Sequence, residues 1–408
     1  MRIIGLDIHR AFAEAVALED GVCHRLGRIG MTRDQLESFA DTLQSTDHVV
    51  VECTGNATAV LDILAPKVAR VAVANPLQVH LIARAKTKTD KIDARVLAKL
   101  YAAGFLPEVW IPDAATQARR RQVTRRKQLV KSRARLKAIV QSILHAHLAP
   151  RCPHADLFGG KGRAWLRTQD LPEDERVAIE RHLEEYDRQT AAQKAVERDI
   201  AGIALDDANV RRLMTIPGID MVVAVGMMAA IGRIDRFAAP EKLVAYLGLN
   251  PSVRQSGDGR AHHGRITKRG SSRARHFLVE AAWQTVRSPG PMRAFYERVR
   301  ARRGAHVAAV AVARKLTVLI WHMLTKGEDY AWGRPLLMAR KLRNLELAAG
   351  HAAKPGTRGA AYEYGITERR QADRAQAEQA ERAYRRITEH WRRQNKKDGA
   401  GAASEVRH

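Results

Sequence analysis

Apolar residues in the first hundred positions follow two rhythms. Short β-branched runs in "RIIGLDIH", "HVVVECT" and "RVAVANP" read as buried strands, and "AFAEAVALED" and "GVCHRLGRIG" as two more. Between them, "TRDQLESFADTL" opens on a good N-cap, Thr32, and repeats apolar residues at helical spacing in Leu36, Phe39 and Leu43. "NATAVLDILAP" reads as a second helix. The predicted order is three strands, helix, strand, helix, strand, then helices. That order implies an α/β domain over 1–112 with a mixed sheet and its site at strand ends.

From Ala114 the rhythm changes. The stretch to Ala149 has no Gly or Pro, and Val123, Val130, Leu136, Val140, Ile143 and Leu144 keep a roughly heptad spacing. A second long helix, from about Glu173 to Ile203, is expected to pair with it antiparallel across 113–207. Two readings stay open here: a helical spacer, or a coiled coil that self-associates and binds nucleic acid along its Arg-rich face. A third, mostly helical unit covers 208–330. In it "LMTIPGIDMVVAVG" resembles a helix-hairpin-helix, with Pro217–Gly218–Ile219 as the turn and Asp220 where a second Gly is usual. After Trp332 the chain is polar, and 331–408 is expected to be a flexible tail that orders on a partner.

Charge sharpens this picture. The 408 residues hold 70 Lys+Arg against 44 Asp+Glu, a net +26, which favours nucleic acid as partner. Residues 1–112 hold thirteen of each sign and are neutral, so the excess lies beyond them. Ten of the 19 residues from Arg119 to Lys137 are basic and none is acidic. "MRIIGLDIHR" lacks the apolar core of a secretory signal, and apolar stretches such as "MVVAVGMMAAIG" fall short of the roughly 20 residues of a membrane span. Cys23, Cys53 and Cys152 have no paired spacing. A soluble, cytoplasmic protein with no membrane partner is expected, associated with the nucleoid when active.

Four carboxylates stand out. Asp7 and Glu52 end the two most apolar strands, and Asp90 and Asp93 share a helix face at i,i+3. An isolated Asp-x-x-Asp is ordinarily a helix cap. Four converging acids, however, would repel unless cations neutralise them, and oxygen ligands suit Mg²⁺ or Mn²⁺. Two such ions would clamp the attacking and leaving oxygens of a phosphodiester. Glu14 and Asp62 fit a solvated face. Later, the Gly-rich stretch from Ser252 to His276 carries seven Lys/Arg and one Asp, as a phosphate-binding loop would. Ser256, Ser271 and Ser272 are all available hydroxyls there, and the residues alone do not choose a nucleophile among them.

"GLDIH", "VVVECTG" and "TKTDKIDARVLA", followed by "GLNPSVRQSGDGRAHHGRITKRGSSRAR", resemble the DEDD transposases of insertion sequences, the bridge-RNA-guided serine recombinases. The resemblance runs from Met1 to Lys326. It implies an RNase H-like (RuvC-like) N-terminal domain, a coiled coil and a C-terminal transposase domain. It implies that Asp7, Glu52, Asp90 and Asp93 bind Mg²⁺, and that Ser256 attacks DNA to form a phosphoserine. It further implies a homo-oligomer, dimer or tetramer, with a structured guide RNA pairing to donor and target DNA. Arg119, Arg120, Arg125, Arg126, Lys127, Arg254, Arg260, Arg265, Lys268 and Arg269 are the expected backbone contacts. The alternatives are a Holliday-junction-type nuclease with water as nucleophile, a non-catalytic nucleic-acid binder, and an actin-like ATPase; no second Gly-rich phosphate loop supports the last.

Overall fold

The computed structural model describes residues 1–82, 90–257, 259, 261–352 and 359–405. The chain divides into two compact units, Met1–Pro112 and Asp113–His408.

The first unit contains β1 (Ile3–Ile8), β2 (Phe12–Glu19), β3 (Val22–Gly30), α1 (Arg33–Ala40), β4 (His48–Glu52), α2 (Ala57–Leu64), β5 (Arg70–Ala74), α3 (Pro76–Ile82) and α4 (Asp90–Ala102). The sheet order is β3-β2-β1-β4-β5. β1 pairs antiparallel with β2 and parallel with β4, and β5 continues the parallel half. This is the mixed α/β sheet that the strand-and-helix rhythm predicts.

Strand alternation sends side chains to two faces. Ile4, Leu6, Ile8, Val49, Val51 and Val73 pack beneath α1 and α2. Ile3, Val50, Ala72 and Ala74 meet Leu97 and Ala98 of α4 on the other face. α4 lies against this face over Gly5, where a Cβ would stand 2.0 Å from the carbonyl oxygen of Ala94 and 3.2 Å from the nitrogen of Ala98. At the far end of α4 the Tyr101 hydroxyl meets Nδ1 of His48 at 2.7 Å, level with Ile3. α4 therefore runs antiparallel to β1, with its N-terminus toward Asp7.

Among the described residues, two carboxylates are fully enclosed in this unit. Asp47 receives Arg2 through Nε at 2.9 Å and a second guanidinium nitrogen at 2.6 Å. Burial raises its pKa, but the hydrogen bonds from Arg2 and from the Gln44 amide outweigh this and leave it lowered. Glu14 is also inaccessible to solvent, which corrects the expectation of a solvated face; Asp62 is exposed as expected.

Among its described residues the second unit is helical apart from one hairpin. It contains α5 (Ala114–Ala146), α6 (Gly160–Arg167), α7 (Glu173–Asp206), α8 (Ala208–Met214), α9 (Met221–Ile231), α10 (Pro240–Tyr246), β6 (Pro251–Arg254), β7 (His262–Ile266), α11 (Ser272–Thr285), α12 (Pro291–Arg303), α13 (Ala305–Lys326), α14 (Pro335–Ala348), α15 (Ala360–Glu363) and α16 (Thr367–Glu405). α5 and α7 pair antiparallel: Arg126 meets Glu197, Arg133 meets Gln193 and Tyr186, and Val140 and Leu144 pack with Ile179 and Leu183. α13 is long and apolar enough to cross a membrane by length and composition, so apolar stretches do not all fall short of a span. Its residues Ala309, Val312, Ala313, Leu316 and Ile320 lie in the unit's main core, against α8, α10, α11 and α12.

The Pro217–Gly218 turn is also part of this core. Ile216, Pro217 and Ile219 are buried, and the Thr285 hydroxyl donates to the Pro217 carbonyl at 2.6 Å. Asp220 caps α9 by accepting from the Val223 amide at 3.0 Å. An interior turn of this kind is an ordinary αα-hairpin.

The segment after Trp332 also departs from expectation, because among the described residues it is helical and packed. Lys341 of α14 donates from Nζ to the carbonyls of Met214, Ile216 and Ile219 at 2.7, 2.8 and 2.9 Å. Burial pushes its ammonium down to about 8. Asp373 of α16 accepts from Arg334 at 2.7 Å, and Glu381 accepts from Arg293 and the Gly290 amide at 2.7 and 3.0 Å. Composition misleads here because buried polar pairs hold this segment together with the apolar contacts of Met338, Leu342 and Leu345.

Three expected outcomes follow from these contacts. Gly5→Ala should lower the unfolding free energy by about 1–3 kcal/mol in chemical denaturation, because the opposing atom is backbone and cannot rotate away. Lys341→Met should cost about 3 kcal/mol in the same assay, because three buried carbonyls lose their donor. Glu14 and Asp47 titrate below the ordinary carboxylate range in the folded chain. Their contribution is complete above the unfolded values and is lost as pH falls through the lowered folded ones. Melting temperature measured from pH 7 down to 3 should therefore drop steeply below about pH 4, and less so in Glu14→Gln.

Candidate active site

Asp7 is the penultimate residue of β1 and is buried, at 6% exposure. Glu52 ends the neighbouring β4, one step beyond the Leu6–Val51 pair. In a parallel ladder this puts Asp7 and Glu52 level and on one face, the face that carries Gly5. Asp93 precedes Ala94, the residue seated over Gly5. Three of the four predicted acids thus gather at one end of the sheet. The fourth, Asp90, begins α4, and its side chain lies outside the described residues. Lys86 and Lys88, cations of the same stretch that would suit a phosphate, also lie outside them. Asp7 Oδ2 is 3.2 Å from Nε2 of His9.

The donors in this set are all carboxylate oxygens, and their chemistry fits a hard divalent cation. Among the described residues, no group of three or more His, Cys, Asp or Glu is close enough to hold a metal.

The second site is built differently. The stretch expected to be a flexible loop is a two-stranded hairpin, β6 paired antiparallel with β7. Ser256 and Gly257 lie at its exposed tip, where Gly257 takes a positive φ of 56°. The base of the hairpin is rigid. Asn250 and Thr267 bond side chain to side chain at 2.9 Å and backbone to backbone at 2.9 Å. Gly248 and Gly270, both at positive φ, let the two ends of the hairpin touch: a Cβ on Gly270 would stand 2.1 Å from the Tyr246 carbonyl oxygen. This explains the spacing of "GLNP" and "ITKRG", whose glycines and polar pair close the base.

The three candidate hydroxyls are now distinguishable. Ser271 caps α11 by accepting from the Ala274 amide at 3.2 Å. Ser272 is the first residue of that helix. Ser256 stands in the open, with Arg254 and His262 exposed nearby on the strands. Arg260 lies outside the described residues, and so does the His263 side chain.

The predicted cationic contacts divide into two groups. Arg119 pairs with Asp207 at 2.7 Å, Arg126 pairs with Glu197 at 2.7 Å, and Arg120 donates to the Ala229 carbonyl at 2.7 Å. These three help fasten α5 to its neighbours. Arg125, Arg265, Lys268 and Arg269 are exposed, with Lys268 at a positive φ of 55°. Lys127 is half-buried and lines a cleft of about 470 Å³ with Arg120, Tyr246, Ser271, Ser272 and Arg273.

Comparison with known proteins finds family matches in both regions. A DEDD transposase model of the IS110 type matches residues 4–148, and the model described as the IS116/IS110/IS902 transposase family matches residues 210–297. The chain is 34% identical over 207 residues to the y4qE protein of Sinorhizobium fredii, which carries a transposase name; the match covers 50% of this chain and 49% of that protein. It is 30% identical over 141 residues to the transposase for insertion sequence element IS1111A of Coxiella burnetii, covering 34% and 38%. The matched stretches therefore span about half or less of each relative.

The hydroxyl assignments make a direct prediction. Ser271→Ala should cost about 1 kcal/mol of stability through the lost cap, whereas Ser256→Ala should leave the melting temperature unchanged.

Proposed function

We propose, from the matches to two models of the IS110/IS116 transposase family, that this chain is an insertion-sequence transposase that cuts and exchanges DNA strands through Ser256. The observation that carries the reading is the serine hairpin, an exposed hydroxyl on a locked base within a strongly basic unit.

In this reading the Ser256 Oγ attacks the scissile phosphorus. A phosphoserine bond forms, the bond to the departing sugar oxygen breaks, and the hydroxyl proton passes to a base while the leaving oxygen gains one. A second sugar oxygen then reverses the step on another strand, so no free end or added energy is needed. A serine hydroxyl is a weak nucleophile until it is activated.

The acids of the first unit supply the other half. Asp7, Glu52, Asp90 and Asp93 would hold Mg²⁺ or Mn²⁺ between them, in an RNase H-like fold. Such ions supply charge neutralisation at the scissile phosphate and its leaving oxygen. The working protein would be a dimer or tetramer. A structured guide RNA encoded by the element would select the DNA. Arg125, Arg254, Arg265, Lys268 and Arg269 are suited to the backbones of both nucleic acids.

The test is a denaturing protein gel after incubation with Mg²⁺, the element's RNA and labelled junction DNA. We expect label at protein mass, lost in Ser256→Ala and in Asp7→Asn. Cleavage without such a band, unaffected by Ser256→Ala, would establish a water-using nuclease instead.

A further inference from the structure

Glu14 sits directly across from Asp7 in the β1–β2 ladder, so the two carboxylates share a face. Two like charges so placed would destabilise the strand pair. The structure answers with two arginines. Arg25 donates from Nε to Oε1 of Glu14 at 2.6 Å, and Arg28 donates from Nε to Oε2 at 3.2 Å. Residues 25 and 28 would ordinarily face opposite ways on a strand. The register shift opposite Ala15 and Val16, with Gly27 at a φ of 106°, leaves Leu26 as the extra residue and turns both arginines to the Glu14 face.

The assembly is more than a neutralised acid. One buried carboxylate faces two guanidiniums, leaving one positive charge over. Each guanidinium is engaged with Glu14 through Nε, and the two side chains are 50% and 60% exposed. The Arg28 guanidinium also lies 4.4 Å above the Phe12 ring, and Phe12 stands 4.9 Å from the ring of His9, the partner of Asp7. A chain of contacts thus leads from Asp7 to a pair of fixed guanidinium groups. Guanidinium groups held at one edge by a carboxylate keep planar donors for a second anion.

We propose that Arg25 and Arg28, oriented by Glu14, bind a backbone phosphate of the DNA strand, next to the phosphodiester presented to Asp7. The proposal rests on the strand-cutting reading above and adds a substrate contact on the neutral unit, where charge counting finds none. Glu14 is a positioning residue; it holds the arginines and touches no substrate.

The experiment uses the full chain and labelled junction DNA, with binding measured across a salt series for Arg25→Gln, Arg28→Gln and the triple variant Glu14→Gln/Arg25→Gln/Arg28→Gln. Melting temperature is recorded for each. The triple variant removes the buried charge together with its partners and so guards against misfolding of the single ones. Each arginine lost should shrink the slope of log K against log salt by about one. Ethylation of one phosphate should weaken binding by the wild type but not by the triple variant. An unchanged slope and interference pattern in a folded variant overturns the proposal and leaves a purely structural ion cluster. Because binding is the readout, a wild-type chain that cleaves without a serine adduct, but whose variants lose the slope, removes the recombinase reading and keeps the phosphate site.

Discussion

The approach of α4 to β1 at Gly5 is the contact on which the first unit depends. A helix normally stands off a sheet by the width of two side-chain layers. Here one layer is missing, and the Ala94 carbonyl lies where a Cβ would be. The close approach brings the start of α4 down to the level of the strand ends. Asp7, Glu52 and the Asp93 turn share one end of the sheet for this reason. The glycine acts by absence, and the acids are placed by the backbone geometry it permits.

Electrostatics in the first unit follows from the same crowding. A sheet face that collects carboxylates must neutralise those that are not reserved for a ligand. Glu14 is enclosed by Arg25 and Arg28, and Asp47 by Arg2, so the neutral charge of this unit conceals paired charges of both signs. Buried pairs of this kind depend on geometry more than on Coulomb attraction, because each partner loses water. The β-bulge near Gly27 supplies that geometry for Glu14.

The second unit uses its cations differently. Arg119, Arg120 and Arg126 fasten α5 to Asp207, Ala229 and Glu197, while Arg125, Arg265, Lys268 and Arg269 remain at the surface. Its C-terminal helices close over the core through polar contacts: three carbonyls on Lys341, Arg334 on Asp373, and Arg293 on Glu381. The Pro217–Gly218 turn is held between Thr285 and Lys341.

Local pattern alone determined a good deal about this protein. Period-two and period-3.6 rhythms give the strands and helices of the first unit in order, and the heptad spacing gives the α5–α7 hairpin. The positions of Asp7 and Glu52 at strand ends and the spacing of Asp90 and Asp93 are likewise legible, because they depend on local periodicity. Tertiary structure alone decided the rest. The burial of Glu14 depends on a bulge in the next strand. The spending of Ser271 on a cap, against the exposure of Ser256, depends on how a hairpin is tethered to α10. The packing of the polar C-terminal helices depends on partners 39 to 127 residues away. Composition registers how many charges a segment carries; only the fold assigns each charge its partner, because the energy of a buried charge is set by what surrounds it.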